Sequence, residues 1–510
     1  MANNSTASPP DPAKEEPLPV IIIGHGLAGL VAAYELVQRN VPVVIVEQET
    51  RANLGGQAFF SLGGLFCVDT RIQRSRGVKD SRELALHDWL GTAQFDRLDG
   101  ADRWPRRWAE AFVDFSAGEF EAYVTKLGLK FFSVGWAERG DGTADGRGNS
   151  VPRFHITWGT GPEVVRIFLE PVLAAETRGL VTFQHRHMVD RLLVDEATGR
   201  AVGVAGRVLA ADDAAAGAHL VNRDRMWHYT EGVRNWDPIW PNHGIRILPA
   251  PSSLWLDAAG RRLPPTFFPG TDTLGTLQHL CATGYDYSWF ITNQTIVAKE
   301  FALSGSEQNP DLTSKSIWQA LRQRLFSRRG PVPVQNFCDR GADFVVRETL
   351  EELVAGMNVL AAESGGPALD EAAVRAVVVA RDAQMVDNPY SKDAQAMLVR
   401  NARLYWYDKM TRVAAPHRLL DPRYGPLIAV RLHLLTRKTL GGLETDLASR
   451  VQRPDGQTFP GLYAAGEIAG FGGGGMHGYA ALEGTFLGGC IFSGRAAGRA
   501  MADEVLGVKK

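Results

Sequence analysis

The chain has 510 residues, 45% of them hydrophobic and 22% charged, with 55 Lys and Arg against 57 Asp and Glu. That is the composition of a globular protein of two or three domains, and a net charge of −2 argues against a nucleic-acid partner. Cys67, Cys281, Cys338 and Cys490 lie far apart, which excludes a disulfide framework or a clustered metal site and fits a reduced, cytoplasmic setting.

Residues 1–17 contain four prolines and no apolar run and read as a disordered tail rather than a secretory signal. No window reaches the length of a membrane span. Residues 20–47 follow as strand, turn, helix and strand: PVIII and VPVVIVE are buried parallel-type runs on either side of AGLVAAYELVQRN, which has helical periodicity. Residues 70–160 read as mostly helical, a helix spans about 161–177, and a hairpin turns at Ala197-Thr198-Gly199. A polar joint at 211–220 leads into an aromatic-dense stretch, 221–290, and then into charged helical sequence over 295–412. From 425 the β-rich pattern returns, and 461–500 reads as a Gly-rich strand, a loop and a helix of about 480–500. The expected division is 18–210 and 425–505 for the two parts of one nucleotide-binding domain, with a cap or substrate domain at 211–424.

Gly24-His25-Gly26-Leu27-Ala28-Gly29 follows the first strand directly and opens the helix. Gly24 permits the tight turn, Gly26 lets a pyrophosphate approach the backbone, and Gly29 lets helix and strand pack closely. Phosphates then sit at the helix N-terminus on free N–H groups, with Leu27 and Ala28 in its first turn. Glu47, followed by Gln48, ends the second strand, where a carboxylate accepts bonds from ribose hydroxyls and disfavours a 2′-phosphate.

Two further features point to FAD rather than NAD. Gly55, Gly56 and Gln57, then Ser61, Gly63 and Gly64, form a loop suited to close backbone contact with a second phosphate or a ring edge. More than 400 residues later, Phe459-Pro460-Gly461-Leu462-Tyr463-Ala464-Ala465-Gly466-Glu467 is a short apolar strand ending in small residues and an acid. That ending suits a ribityl chain, with Gly466 and Glu467 as its contacts. The helix after Gly475-Met476-His477-Gly478-Tyr479 is expected to face the flavin pyrimidine edge with its N-terminus.

These segments, together with LGGLETD and LEGTFLGGC, resemble the succinate dehydrogenase/fumarate reductase flavoprotein superfamily, and most closely its 3-ketosteroid-dehydrogenase-like FAD-binding dehydrogenases. The resemblance implies an α/β fold: a Rossmann-type FAD-binding domain interrupted by an α+β substrate cap domain, with the active site between them. It implies that Met188-Val189 meets the adenine through backbone. No histidine lies between Gly55 and Gly64, where respiratory relatives carry their covalent link, so the FAD is expected to be non-covalent. The chain also departs from the family pattern. Between the hairpin and the cap, relatives carry a strand with a Thr/Ser-Gly-Gly ending, and no such strand is found here. The cap positions that hold a catalytic tyrosine or arginine fall near Gly270-Thr271-Asp272, with Asp272 the only titratable group. Ile428 stands where the ketosteroid pattern has a tyrosine.

The function expected from these features is hydride transfer between a C–C bond next to a carbonyl, in a hydrophobic small molecule, and flavin N5. The alternatives are an oxygen-using flavin oxidase or hydroxylase and a non-catalytic flavin-binding relative. Candidate catalytic groups are Tyr479, His477, Arg437, Lys438, Tyr287 and Asp272, with Tyr285, His228 and Tyr229 beside them. Arg437 and Lys438 precede Leu440-Gly441-Gly442, where fumarate-reductase relatives carry a substrate-binding histidine.

Overall fold

A computed structural model describes residues 18–140, 147–209, 222, 224–324 and 327–508. The expected tail at 1–17 and the joint at 211–220 lie outside the described residues.

The apolar runs at the N-terminus pair as read. Val43–Glu47 is the central strand of a parallel three-stranded sheet, between Val20–Ile23 and Val181–His185. The helix Leu27–Val37 lies across it and buries Leu30, Val31, Ala33 and Leu36. The last helix, Thr485–Val505, packs on this first helix through glycines: a Cβ on Gly494 would stand 2.5 Å from the Ala28 carbonyl oxygen, and one on Gly498 2.6 Å from that of Ala32. Residues more than 450 positions apart in sequence thereby build one unit.

The cap is a seven-stranded antiparallel sheet with helices from 273–411 around it. The strand order is Leu254–Asp257, Tyr287–Asn293, Leu427–Thr439, Met226–Arg234, Gly244–Leu248 and Ala302–Leu303, with Phe344–Arg347 also on Leu427–Thr439. Two structural differences from the sequence reading follow. The strand that begins just after residue 425 pairs with cap strands, because Leu427–Leu432 is fully buried and fills the sheet's centre. The final helix starts at Thr485, not near 480. Gly470, Gly473, Gly474, Gly478 and Gly484 all adopt positive φ, which a right-handed helix cannot propagate through.

The first strand has a bare outer edge. Among the described residues it pairs only with Val43–Val46, and Ile21 and Ile23 are 39% and 57% exposed. Val202 and Val208 on the nearby hairpin are 62% and 69% exposed. No further strand pairs with this edge among the described residues.

Candidate functional site

The fingerprint turn has the geometry of a phosphate cradle. Gly24 takes φ +96°, and a Cβ on Gly24 or Gly26 would meet nothing within 4 Å, so both glycines face open space. A Cβ on Gly29 would stand 2.1 Å from the Gly24 carbonyl oxygen, which forces glycine where helix and strand touch. Gly26 caps the helix without a side chain, leaving the first-turn N–H groups to an anion. The Gly55 N–H donates to the His25 carbonyl at 3.1 Å, and Gly56 approaches the Gly26 Cα, so the Gly-Gly-Gln loop forms one wall of the turn. Gln57 is exposed. Ser61 Oγ accepts from the Gly63 N–H at 3.2 Å, and Gly64 lies against Phe154.

Glu47 is buried and already occupied. Its carboxylate accepts the backbone N–H of His25 at 2.8 Å and of Glu49 at 2.9 Å, so it ties the end of the second strand to the glycine turn. The Nδ1 of buried His25 lies 3.2 Å from Glu47 Oε2, and its ring is tilted 5.6 Å from that of His185. The Gln48 carbonyl accepts from Arg186, and Val189 pairs with Gly206 in the hairpin beside buried Met188. At the C-terminal end Gly466 lies against Ala28 of the first helix, and Glu467 accepts the Thr439 N–H at 2.9 Å. Open glycines and an uncapped helix start at the fingerprint turn fit FAD.

The candidate catalytic residues do not converge as a set. Tyr287 is buried in the cap core against Tyr285 and Trp289, its hydroxyl unpartnered. Asp272 caps the helix Thr273–Ala282, accepting the Gly275 N–H at 3.0 Å, and pairs with Arg147. Tyr479 is tied down at the rim: its hydroxyl bonds Asp96 and Arg97, and Arg225 lies 4.1 Å over its ring. His477 is fully buried, stacked 5.6 Å from Trp89 with both nitrogens unpaired; burial, helped by Lys438, pushes it down to about 3. His228 bonds Thr436 on the neighbouring strand.

Lys438 and Tyr229 do meet, in a cluster drawn from both domains. Lys438 Nζ lies 3.4 Å from the Tyr229 hydroxyl and 4.0 Å over the Phe486 ring, while Arg437 is exposed and 5.9 Å from the Tyr229 ring. Burial, with Glu483 assisting, pushes the Tyr229 hydroxyl well above the usual tyrosine range. The Arg246 guanidinium sits 3.8 Å over the Tyr229 ring, 2.6 Å from Glu483, 3.2 Å from Glu138 and 3.5 Å from Glu231. Thr273 donates to Glu138. Two buried carboxylates and the partly exposed Glu483 around one arginine cannot all hold full charge cheaply. Burial pushes Glu138 up to about 8, against the pull of Arg246 and with the help of Glu483 and Glu231. Burial likewise raises Glu231. Burial alone would raise Glu483 too, but Arg246 and Lys438 hold it below the usual carboxylate range. Lys438 is brought down to about 8 by burial, with Glu483 opposing and Arg437 assisting.

Glu138, Glu231, Arg246 and Glu483 were not among the sequence candidates. Glu231 ends the polar-aromatic run RMWHYTEG and Glu483 lies in LEGTFLGGC, so two of the four sat in segments already marked; nothing local marks Glu138 or Arg246.

The family match and a relative more than half identical make the chain an FAD-dependent dehydrogenase acting on CH–CH groups, of the ketosteroid-dehydrogenase-like kind. The chain belongs to the FAD binding domain family, whose pattern matches residues 19–213 and 206–487. It is 53% identical to a KsdD-like steroid dehydrogenase of Mycobacterium tuberculosis (strain CDC 1551 / Oshkosh), over 95% of this chain and 96% of the relative. A 3-ketosteroid delta1-dehydrogenase from Sterolibacterium denitrificans, solved with 1,4-androstadiene-3,17-dione, shares the fold at TM-score 0.61 and 13% identity, over 96% of this chain and 99% of that one. A 3-ketosteroid-delta4-(5alpha)-dehydrogenase from Rhodococcus jostii RHA1, solved with 4-androstene-3,17-dione, does so at 0.56 and 18%, over 95% and 96%. The alignment to the mycobacterial relative runs over 554 positions yet engages 95% of 510 residues, so about 70 positions have no counterpart here. The two matched stretches of the family pattern meet at 206–213.

Proposed function

We propose that the chain introduces or removes a C–C double bond next to a carbonyl in a hydrophobic, steroid-like small molecule, using non-covalently held FAD. Bound FAD supplies the two-electron acceptor. The residues of this chain supply the rest: the fingerprint turn and Glu47 anchor the adenosine end, Gly466 and Glu467 the ribityl chain, and Lys438 a group for the proton at the carbon beside the carbonyl. The observation that carries this reading is the Lys438–Tyr229–Glu483–Arg246 cluster, which joins cap strands to the segment whose Thr439 is bonded to Glu467. The steroid ligands of the two steroid-dehydrogenase structures support the substrate class.

The test is anaerobic mixing of FAD-loaded protein with 4-androstene-3,17-dione. Bleaching of the flavin band with formation of a dehydrogenated steroid is the expected result. No bleaching with this or any other 3-ketosteroid sinks the substrate class, and rapid re-oxidation by oxygen with stoichiometric peroxide shifts the reading to an oxidase. The bare edge of the first strand favours a second reading, a flavin-binding relative without turnover. It predicts bound FAD that sodium dithionite reduces and no carbonyl compound does.

A further inference from the structure

We propose that an exposed apolar stripe on the cap, running from Met397 to Met410, docks the protein on an anionic lipid surface. The inference goes beyond the dehydrogenase reading above and is tested without turnover. No helix of the described residues is long and apolar enough to cross a membrane, so the contact is one with the bilayer surface.

The stripe follows from the backbone. In the helix Ala394–Ala402, Met397 and Asn401 stand one turn apart on the outer side, while Ala396, Val399 and Ala402 turn inward onto Met385 and Val413. The Leu404 N–H then donates to the Asn401 carbonyl at 3.0 Å, a three-residue turn that sets Leu404 beside Asn401. Tyr405 is extended, at φ −76° and ψ 112°, so Leu404 and Trp406 point to one side and Tyr405 to the other. In the helix Trp406–Thr411 that side continues through Lys409 and Met410, three and four residues on. Its inner side is committed: Tyr407 bonds Ser133 and lies 3.8 Å below Arg76, and Asp408 is buried 2.9 Å from Arg139. Leu404, Trp406 and Met410 are 83%, 57% and 54% exposed. Arg400 donates to the Asn388 and Pro389 carbonyls, which holds the loop carrying exposed Tyr390 against the same helix.

Charge selects the occupant. Between residues 388 and 412 the chain carries Lys392, Arg400, Arg403, Lys409 and Arg412 against Asp393 and Asp408 alone, in a molecule of net charge −2. Both acids are satisfied within the fold: Asp393 caps its helix and meets Arg262 at 2.8 Å, and Asp408 meets Arg139. The acid before the stripe, Asp387, is paired with Arg418 at 2.6 Å. Of the cations, Arg412 turns inward to the Pro249 carbonyl. Arg400 and Arg403 are held by neutral backbone carbonyls, and Lys299 of a neighbouring helix donates to the Met410 carbonyl. Lys392 and Lys409 are exposed, with no ion pair among the described residues. Apolar side chains edged by Trp and Tyr, with cations beside them, suit the interface of an anionic bilayer. The rings sit at headgroup level, Met and Leu enter the acyl boundary, and the lysines reach the lipid phosphates. A second copy meeting the same face would set these cations against each other.

The experiment is flotation of the full FAD-loaded chain with vesicles of phosphatidylcholine alone, and of phosphatidylcholine with about one-third phosphatidylglycerol. The wild type is expected to float with the anionic vesicles. Its binding should fall about tenfold or more without phosphatidylglycerol or at high salt. Trp406→Glu and Lys409→Glu should each weaken binding about tenfold, at unchanged FAD content and melting temperature. Leu404→Gln is the further variant: its side chain lies largely outside the fold, so packing survives its loss, and binding should weaken about fivefold. A wild type that floats with neither vesicle, that floats equally with both, or that is indifferent to all three substitutions overturns the proposal. So does a wild-type dimer in sedimentation velocity that binds no vesicles and that Trp406→Glu dissociates, since the stripe is then a contact between copies. Flotation that depends on the stripe, with no flavin reduction by any steroid, retains the docking surface and sinks only the substrate class.

Discussion

His477 shows how a single side chain is set by its surroundings. Buried between Trp89, Phe471 and Phe486 with neither nitrogen partnered, it must stay neutral, and its value falls to about 3 from the ordinary 6.5. The folded value is depressed, so its contribution to stability is fully present above about pH 6.5 and is lost as pH falls toward the folded value. His477→Phe keeps the ring and removes the demand; the acid-unfolding midpoint should move to lower pH, read by circular dichroism. A second prediction concerns Tyr479, whose hydroxyl is committed to Asp96 and Arg97. Tyr479→Phe should leave FAD content and steroid turnover within about twofold of wild type, and a loss of 100-fold would return the acid/base role to it. In the cradle, Glu47→Ala removes the acceptor of two backbone N–H groups and should cost roughly 1–3 kcal/mol of FAD affinity, measured by dilution. The fingerprint was legible because its chemistry is local: three glycines within six residues and an acid at a strand end. The cluster around Arg246 was not, because residue 138 meets 246 and 229 meets 438 only in the folded chain, and no spacing along the chain records that.

At the scale of elements, the helix pair Leu27–Val37 and Thr485–Val505 decides whether the two FAD motifs meet. Gly494 packs on the Ala28 carbonyl with no room for a side chain. Gly494→Leu should push the helices apart and cost about 1–3 kcal/mol by overpacking. It should also lower FAD content, because Gly466 rides on the same helix at Ala28; thermal melting and the flavin-to-protein absorbance ratio read both. The glycines here were visible in the sequence, and so was the buried run from Leu427. What the run did not reveal was its partners. Apolar residues on both faces specify the centre of a sheet without saying which sheet, and this strand joins the cap through Tyr287–Asn293 and Met226–Arg234. The late start of the last helix was likewise hidden, since successive glycines permit helix and turn alike until their φ values are known.

For the whole molecule, about 70 aligned positions of the mycobacterial relative have no counterpart here, and Ile21 and Ile23 of the first strand are exposed. Grafting the relative's extra segment between Leu209 and Asn222 should cover that edge and tighten FAD retention; unchanged retention would mean the edge is indifferent to the cofactor. The bare edge also has a kinetic consequence. In a parallel strand alternate residues face opposite neighbours, so the outward amides of the Val20–Ile23 strand depend on solvent while the inward ones are locked to Val43–Val46. Such a strand opens by fraying from one side, at a small fraction of the global unfolding free energy, and the glycine turn hangs from its end. Hydrogen exchange should therefore find the first strand and Gly24–Gly29 opening together and far faster than the Val43–Glu47 strand. Added FAD should slow both, because the ligand must hold shut a cradle that its own sheet supports on one side only.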